Sequence, residues 1–289
     1  MMSEQNISRR GFVGGSLAAA AVLAAGRRVL AADATPQISL QLCSVRDFCA
    51  KDFDDTLAKV AKMGFAGVEF AGYHNYGGKP AELRKRLDDL GLKAAGTHIG
   101  TGSFRGDALQ KTIDFHQTIG CKLLMVPGDG DFTSPDKSKA LADLFTETAA
   151  KLKPLGMWCG YHNHTGEFKK DPEADKSYWE LFAERTSTDV VLQQDCGWSA
   201  TAGQDPAALI RKYAGRTLIT HFKPAVFGPD RDKHKAYLGQ DSVDWVTVLK
   251  ACREAGATQW VTIEQETYPD GKNSLECTEI SLAGLKKIW

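Results

Sequence analysis

The chain has 289 residues, 43% of them apolar and 25% charged, which suits one large globular domain with a sizeable core. Lysine plus arginine number 36, and so do aspartate plus glutamate. That balance excludes both the basic excess of a general nucleic-acid binder and the acidic excess of a disordered chain.

The first element in chain order is a leader. Ser8-Arg9-Arg10-Gly11-Phe12 precedes a glycine- and alanine-rich run to Ala25, then Arg27-Arg28 and Ala31-Ala32-Asp33-Ala34. A basic stretch, a moderately apolar stretch and small residues, in that order, mark a secretory signal, and the paired arginines with Phe12 resemble a twin-arginine signal. The expected division is a signal peptide over 1–34 and one domain over 35–289. The mature protein is expected in the periplasm or outside the cell, with no stable membrane anchor. Seven cysteines are present, and none is paired as C-x-x-C. No structural zinc site is therefore expected, and the thiols are read as mostly free and buried.

Eight short apolar or β-branched runs follow, at 38–43, 67–70, 93–98, 122–126, 157–163, 190–195, 217–222 and 260–264. Helical patterns lie between them. Residues 54–63 put Leu57, Val60 and Ala61 on one face, closed by Gly64. Pro80 opens a helix in which Leu83, Leu87 and Leu90 recur at helical spacing before Gly91. Residues 140–152 and 243–255 read the same way, Asp205-Pro206 is a helix start, and a last helix begins near Leu275. Eight βα units in about 255 residues predict an α/β fold, a single-domain (β/α)8 TIM barrel. A doubly wound sheet commonly opens with a glycine-rich phosphate turn; here the first turn is Ser44-Val45-Arg46-Asp47.

In such a barrel the chemistry sits at the C-terminal ends of the strands. Those ends carry Gln41 and Arg46, Glu69, His98, His162 and His164, Asp195, His221 and Lys223, and Glu264 and Glu266. A lone histidine or glutamate is ordinarily a hydrogen-bonded or surface residue; convergence on one rim carries the inference. Imidazoles and carboxylates without a thiolate cluster suit one divalent ion, Mn, Zn, Co or Mg, and disfavour calcium. Beside a metal that stabilises an enediolate, a carboxylate can take the proton next to a carbonyl.

Several stretches resemble sugar phosphate isomerase/epimerase-like proteins with the xylose isomerase-type TIM barrel. Residues 41–47, QLCSVRD, resemble that family's QLYSVRD, and 67–70 its GVEF. Residues 161–168 resemble its YHNHxxEF, and Asp195 and Trp198 with 202–206 its DxxW…AGxDP stretch. The final-strand run 260–266 is also similar. The resemblance implies a metal set of His162, Asp195, His221 and Glu264, with His162 where the family's epimerases carry a glutamate. It implies Glu264 and His162 as proton-transfer groups, with Gln41, Arg46, Glu69, His98, His164, Trp198, Lys223 and Glu266 around the substrate. Two further departures stand out. Cys43 replaces a frequent tyrosine, and Lys223 precedes Pro224 where an acidic partner is usual. Glu167 is a candidate to orient one of the strand-5 histidines.

The expected function is a metal-dependent sugar isomerase or epimerase working through an enediolate. A lyase or hydratase acting on 3-keto sugars or glycosides would use the same enolisation, and export favours unphosphorylated substrates of that kind. A non-catalytic sugar-binding barrel is the remaining alternative. The expected partner is a small sugar or sugar derivative, not nucleic acid.

Overall fold

Strand and helix alternate along residues 35–289, which a computed structural model describes; the leader expected over 1–34 lies outside the described residues. The strands are β1 (Gln37–Gln41), β2 (Gly67–Phe70), β3 (Lys93–His98), β4 (Leu123–Val126), β5 (Trp158–His162), β6 (Val191–Gln193), β7 (Ile219–Phe222) and β8 (Trp260–Ile263). All eight expected strands are present, each within two residues of its predicted bounds. They pair in parallel in the order β6-β5-β4-β3-β2-β1-β8-β7. Between β6 and β7 the ladder gives way to separate bonds. The Leu192 amide donates to the Arg216 carbonyl (2.8 Å) and the His221 amide to the Gln194 carbonyl (2.9 Å), so the barrel is nearly closed.

Among the described residues ten α-helices surround it: α1 (Arg46–Lys51), α2 (Phe53–Met63), α3 (Pro80–Leu90), α4 (Gly106–Ile119), α5 (Ser138–Leu152), α6 (Tyr178–Arg185), α7 (Cys196–Thr201), α8 (Pro206–Lys212), α9 (Trp245–Ala251) and α10 (Ser274–Lys286). Local signals set their ends. Asp52 caps α2 and Gly64, at φ 93°, stops it; Asp205 caps α8 with Pro206 behind it. Capping boxes open α6 (Ser177, Glu180) and α10 (Asn273, Glu276). The sequence pattern did not single out α4 or α6. In α4 the buried stripe Leu109, Ile113, His116, Ile119 includes a histidine, which weakens the apolar signal. None of the described helices is long and apolar enough to cross a membrane.

Strand alternation sorts the core into two layers. Outward residues such as Leu40, Val68, Leu124, Cys159, Leu192, Phe222 and Val261 join the helix faces in the large cluster. Inside the barrel a small plug of Ala95, Leu123, Met125, Val191, Leu218, Ile219 and Trp260 fills the lower levels. Above the plug the interior turns polar. Ser39 and Thr262 share a hydrogen bond of 2.8 Å, and Gln41, Glu69, His162, Gln193 and His221 lie buried above them. Apolar burial therefore holds the base of the barrel while its top is free for chemistry.

Candidate active site

The strand exits bring four groups to one point. His162 ends β5, Asp195 follows β6, His221 lies in β7 and Glu264 follows β8; one ligand atom from each lies within 4.8 Å of all the others. Asp195 Oδ2 is 3.9 Å from His162 Nε2 and 3.9 Å from His221 Nδ1, and His221 Nδ1 is 3.0 Å from Glu264 Oε2. An ion with ~2.0–2.2 Å bonds to nitrogen and oxygen sets neighbouring ligand atoms about 3–3.5 Å apart, so small side-chain adjustments would complete a shell. Asp195 Oδ2 and His162 Nδ1 are buried without a hydrogen-bond partner. A buried carboxylate oxygen left unpaired is costly, and a bound cation would remove that cost. The donor set fits a divalent ion.

The backbone around this point is fixed from several sides. Asp195 caps α7, its Oδ1 accepting from the Trp198 amide at 2.7 Å. Asn163 clamps the same residue: its Oδ1 accepts the Asp195 amide (2.9 Å) and its Nδ2 donates to Ser199 Oγ (3.1 Å). Gly197 leaves α7 close against the exit of β7, where a Cβ would stand 2.1 Å from the Lys223 carbonyl oxygen. On the other wall, the pairing of β2 with β3 shifts register between Val68 and Glu69. Gly96 then leaves room for the Glu69 carboxylate, whose Oε1 would be 3.1 Å from a Cβ there.

Glu69 is the anchor beneath the cluster. It accepts from Gln41 Nε2 (2.9 Å) and Gln193 Nε2 (2.7 Å), and His221 Nε2 donates to it in a short contact. Gln193 Oε1 in turn accepts from His98 Nε2 at 2.9 Å, which fixes the proton of His98 on that nitrogen. His98 stacks on His221 at 5.3 Å between centroids. A carboxylate on the far nitrogen of a ligating histidine orients it and raises its basicity.

The charges follow from this arrangement. Burial alone would raise Glu69, but His98 and His221 outweigh it and hold the carboxyl below its ordinary value. Burial works against a charged His221, yet Glu69 and Glu264 carry it up to about 10. Burial raises Asp195 to about 8, with Glu264 adding to the rise and Lys223 opposing it. Glu264 resists the same burial because His221 and Lys223 hold it well below the usual carboxylate range. Burial, then the like charges of His221 and His98, press His162 well down, so its imidazole is neutral. Lys223 opposes burial with Glu264 and Asp195 and stays an ammonium.

The other expected site residues separate into three groups. Glu69 and Gln41, expected to face substrate, are fully buried and bonded to each other and to the residues around them, so they support the site from below. His98 belongs to the same layer. His164 and Trp198 lie at the mouth: the His164 ring is 4.9 Å from that of His162, and Trp198 carries the Lys223 ammonium 4.4 Å from its ring centre. Arg46 stands exposed on the rim, donating to the Cys43 carbonyl at 3.2 Å, outside the four-group cluster. The sequence pattern left Lys223 without an acidic partner; the structure supplies two, Glu266 in a short contact and Glu264 at 3.6 Å. Glu167 accepts the His164 amide at 2.8 Å, so it holds that backbone rather than a ring.

Three residues were missed. Gln193 lies two positions before Asp195 and so shares its face, a period-2 signal. Asn163 sits between the two strand-5 histidines. Cys43, half-buried, donates its thiol proton to Glu264 Oε1 at 3.2 Å; burial and then Glu264 push that thiol up, so it stays protonated. Glu264 thus turns Oε2 to the cluster and Oε1 to the mouth.

Beside the cluster, a cavity of about 420 Å³ lies between the start of α7 and the loops after β7 and β8. A larger one of about 940 Å³ opens at the opposite end, among the strand starts Gln37, Lys93, Leu123 and Trp260, the face that supports stability rather than chemistry in this architecture.

A family model for the xylose isomerase-like TIM barrel matches residues 57–288. Inosose dehydratase of Geobacillus kaustophilus (strain HTA426) is 24% identical over 254 residues, covering 75% of this chain and 80% of that protein. The rhizopine catabolism protein MocC of Rhizobium meliloti is 23% identical over 274 residues, covering 81% of each. The solved structure of a sugar phosphate isomerase/epimerase from Parabacteroides distasonis ATCC 8503 superimposes with a TM-score of 0.73 at 24% identity, over 89% of this chain and 95% of that one.

Proposed function

The chain belongs to the xylose isomerase-like TIM barrel family, and from that premise we propose that it is a metal-dependent enzyme that enolises a keto sugar or keto polyol and eliminates an oxygen substituent from the next carbon. One observation carries the choice of elimination. His162 lies within the four-group cluster, and an imidazole that ligates an ion through one nitrogen and keeps its proton on the other has no lone pair left to act as a base; only Glu264 then offers one, where symmetric epimerisation calls for a base on each face. Curated relatives that act as inosose dehydratases support the same reading.

A divalent ion held by His162, Asp195, His221 and Glu264 would polarise the substrate carbonyl and stabilise the negative charge that develops on its oxygen. The chain's own residues do the rest. Glu264 takes the proton from the carbon beside the carbonyl through Oε1, the oxygen that Cys43 holds toward the mouth. Lys223, 3.6 Å from Glu264, protonates the departing oxygen. His162 serves as a neutral ligand rather than the acid expected from its position. His164 and Trp198 wall the mouth, and Glu69, through His221, keeps the ligand geometry.

Isomerisation without elimination is the second reading, favoured by the Parabacteroides sugar phosphate isomerase/epimerase as structural neighbour. We place the reaction outside the cytoplasm, after export by the twin-arginine route. The test is solvent deuterium exchange into a panel of keto sugars and inososes with Mn²⁺, Co²⁺, Zn²⁺ or Mg²⁺. Exchange with loss of water or an alcohol supports elimination; exchange with a new aldose or ketose supports isomerisation. No exchange with any pairing refutes both.

A further inference from the structure

The cavity of about 420 Å³ next to the cluster shares Trp198, Lys223 and Glu266 with the site but contains none of the four cluster residues. It adjoins the cluster at Lys223, which lines it. Its volume falls in the range of pockets that enclose a small organic group, about 300–1,000 Å³. Trp198, Pro224, Ala225, Val226, Ala236 and Pro269 make its lining largely apolar, with Thr201, Thr267 and His234 among its polar members. Val226, in that lining, is one of the few large apolar side chains left exposed among the described residues, at 38%.

Its two lysines are already matched, and His234, also in the lining, sits with Nδ1 3.3 Å from the Gln240 carbonyl oxygen. Lys223 pairs with Glu266, and Lys235 with Asp270 at 2.9 Å. A phosphate would have to compete with carboxylates for both lysines, and a polyol would meet mostly carbon. A neutral, apolar or aromatic substituent fits, since it needs no new charge partner and removes the lining from water.

We propose that this annex receives the aglycone of a keto glycoside, so that the substrate is a sugar ether and the leaving group is an alcohol or phenol rather than water. The assignment rests on the enolising chemistry above and names the substrate class for it. The position of the annex fits the reaction. Lys223 lines the annex and also lies 3.6 Å from the base Glu264. A group lodged in the annex therefore lies within reach of Lys223, the acid assigned to the departing oxygen. The balance is complete without another reactant. Glu264 accepts the α-proton, the C–H pair becomes the C=C bond of an unsaturated ketone, and the β-carbon–oxygen bond breaks. The aglycone oxygen leaves with the C–O bonding pair and takes a proton from Lys223, giving an enone and ROH. The ketone must already be present, so an alcohol-oxidising reaction supplies this substrate.

The experiment compares 4-nitrophenyl and methyl 3-keto-β-glucosides on the metal-loaded protein, with Val226→Trp and Thr201→Trp as annex-filling variants at exposed positions. The wild type should release 4-nitrophenol with a KM at least tenfold below that for methanol release. Each variant should raise that KM about tenfold or more while leaving deuterium exchange into the free keto sugar unchanged. Equal KM values for the two glycosides, with no effect of either variant, would overturn the annex assignment. Absence of both exchange and release would refute the enolising reading alone. Calorimetric binding of phenyl β-glucoside then still decides on the annex: tighter than methyl glucoside and lost in Val226→Trp supports it, and no difference overturns it.

Discussion

Loading the cluster with a divalent ion should release close to two protons per ion at neutral pH. Ligation needs the Nδ1 lone pair of His221 and an ionised Asp195. Without metal, His221 is held up to about 10, against burial, by Glu69 and Glu264, and Asp195 is raised to about 8 by burial. At pH 7, removing these protons costs about 4 kcal/mol for His221 and about 1.4 kcal/mol for Asp195. The sign is therefore fixed: affinity rises with pH. It should climb about 100-fold per pH unit below 8, where both protons must leave, and about tenfold per unit from 8 to 10. Mn²⁺ titration calorimetry at pH 6.5–8, in two buffers of different protonation heat, counts the protons directly. His221 keeps its Nε2 proton on Glu69 throughout, so Glu69→Gln should weaken its hold on the Nδ1 proton and bring the release near one at pH 7.5. Equal heats in the two buffers, or an affinity flat with pH, would refute the ligand assignment of His221 and Asp195.

Glu264→Gln should lower turnover on a keto sugar by ~10²–10⁴-fold, with metal content measured alongside by mass spectrometry; unchanged turnover would remove Glu264 as the base. Asp195→Asn can keep the bond to the Trp198 amide, so thermal melting should hold while Mn²⁺ affinity falls at least tenfold. Gly160→Ala puts a Cβ 2.3 Å from the Val191 carbonyl oxygen across the β5–β6 ladder, and chemical denaturation should show about 1–3 kcal/mol lost. Arg9→Lys with Arg10→Lys should leave an uncleaved precursor in the cytosol; normal export of that double variant would show the leader to be misread.

What could be read in advance follows a physical boundary. The eight strands were legible because each buries an apolar outer face locally, and local patterns such as Val190-Val191-Leu192 announce themselves. His162, Asp195, His221 and Glu264 were legible because chain position alone puts them at strand exits. The role of the supporting layer was not, since Gln41, Glu69 and His98 were expected around the substrate. Glu69 looks like any strand carboxylate until the register shift beside Gly96 and the hydrogen bond from Gln193, 124 residues away, turn it under the histidines. Cys43 stood out only as the replacement of a frequent tyrosine, and its meaning lies in Glu264, 221 residues on. Lys223 seemed to lack its acidic partner because that partner had moved from the next residue to the following strand. In each case the missing information is which side chains meet across the ring, and that is settled by strand order and register. The same ring explains why the charges divide as they do. Glu69 and Glu264 flank one imidazole and charge it, while Asp195, left with an unpaired oxygen, is the group with most to gain from a cation. Replacing Glu69 should therefore disturb the metal site more than its distance from any substrate suggests, through His221 and not by contact.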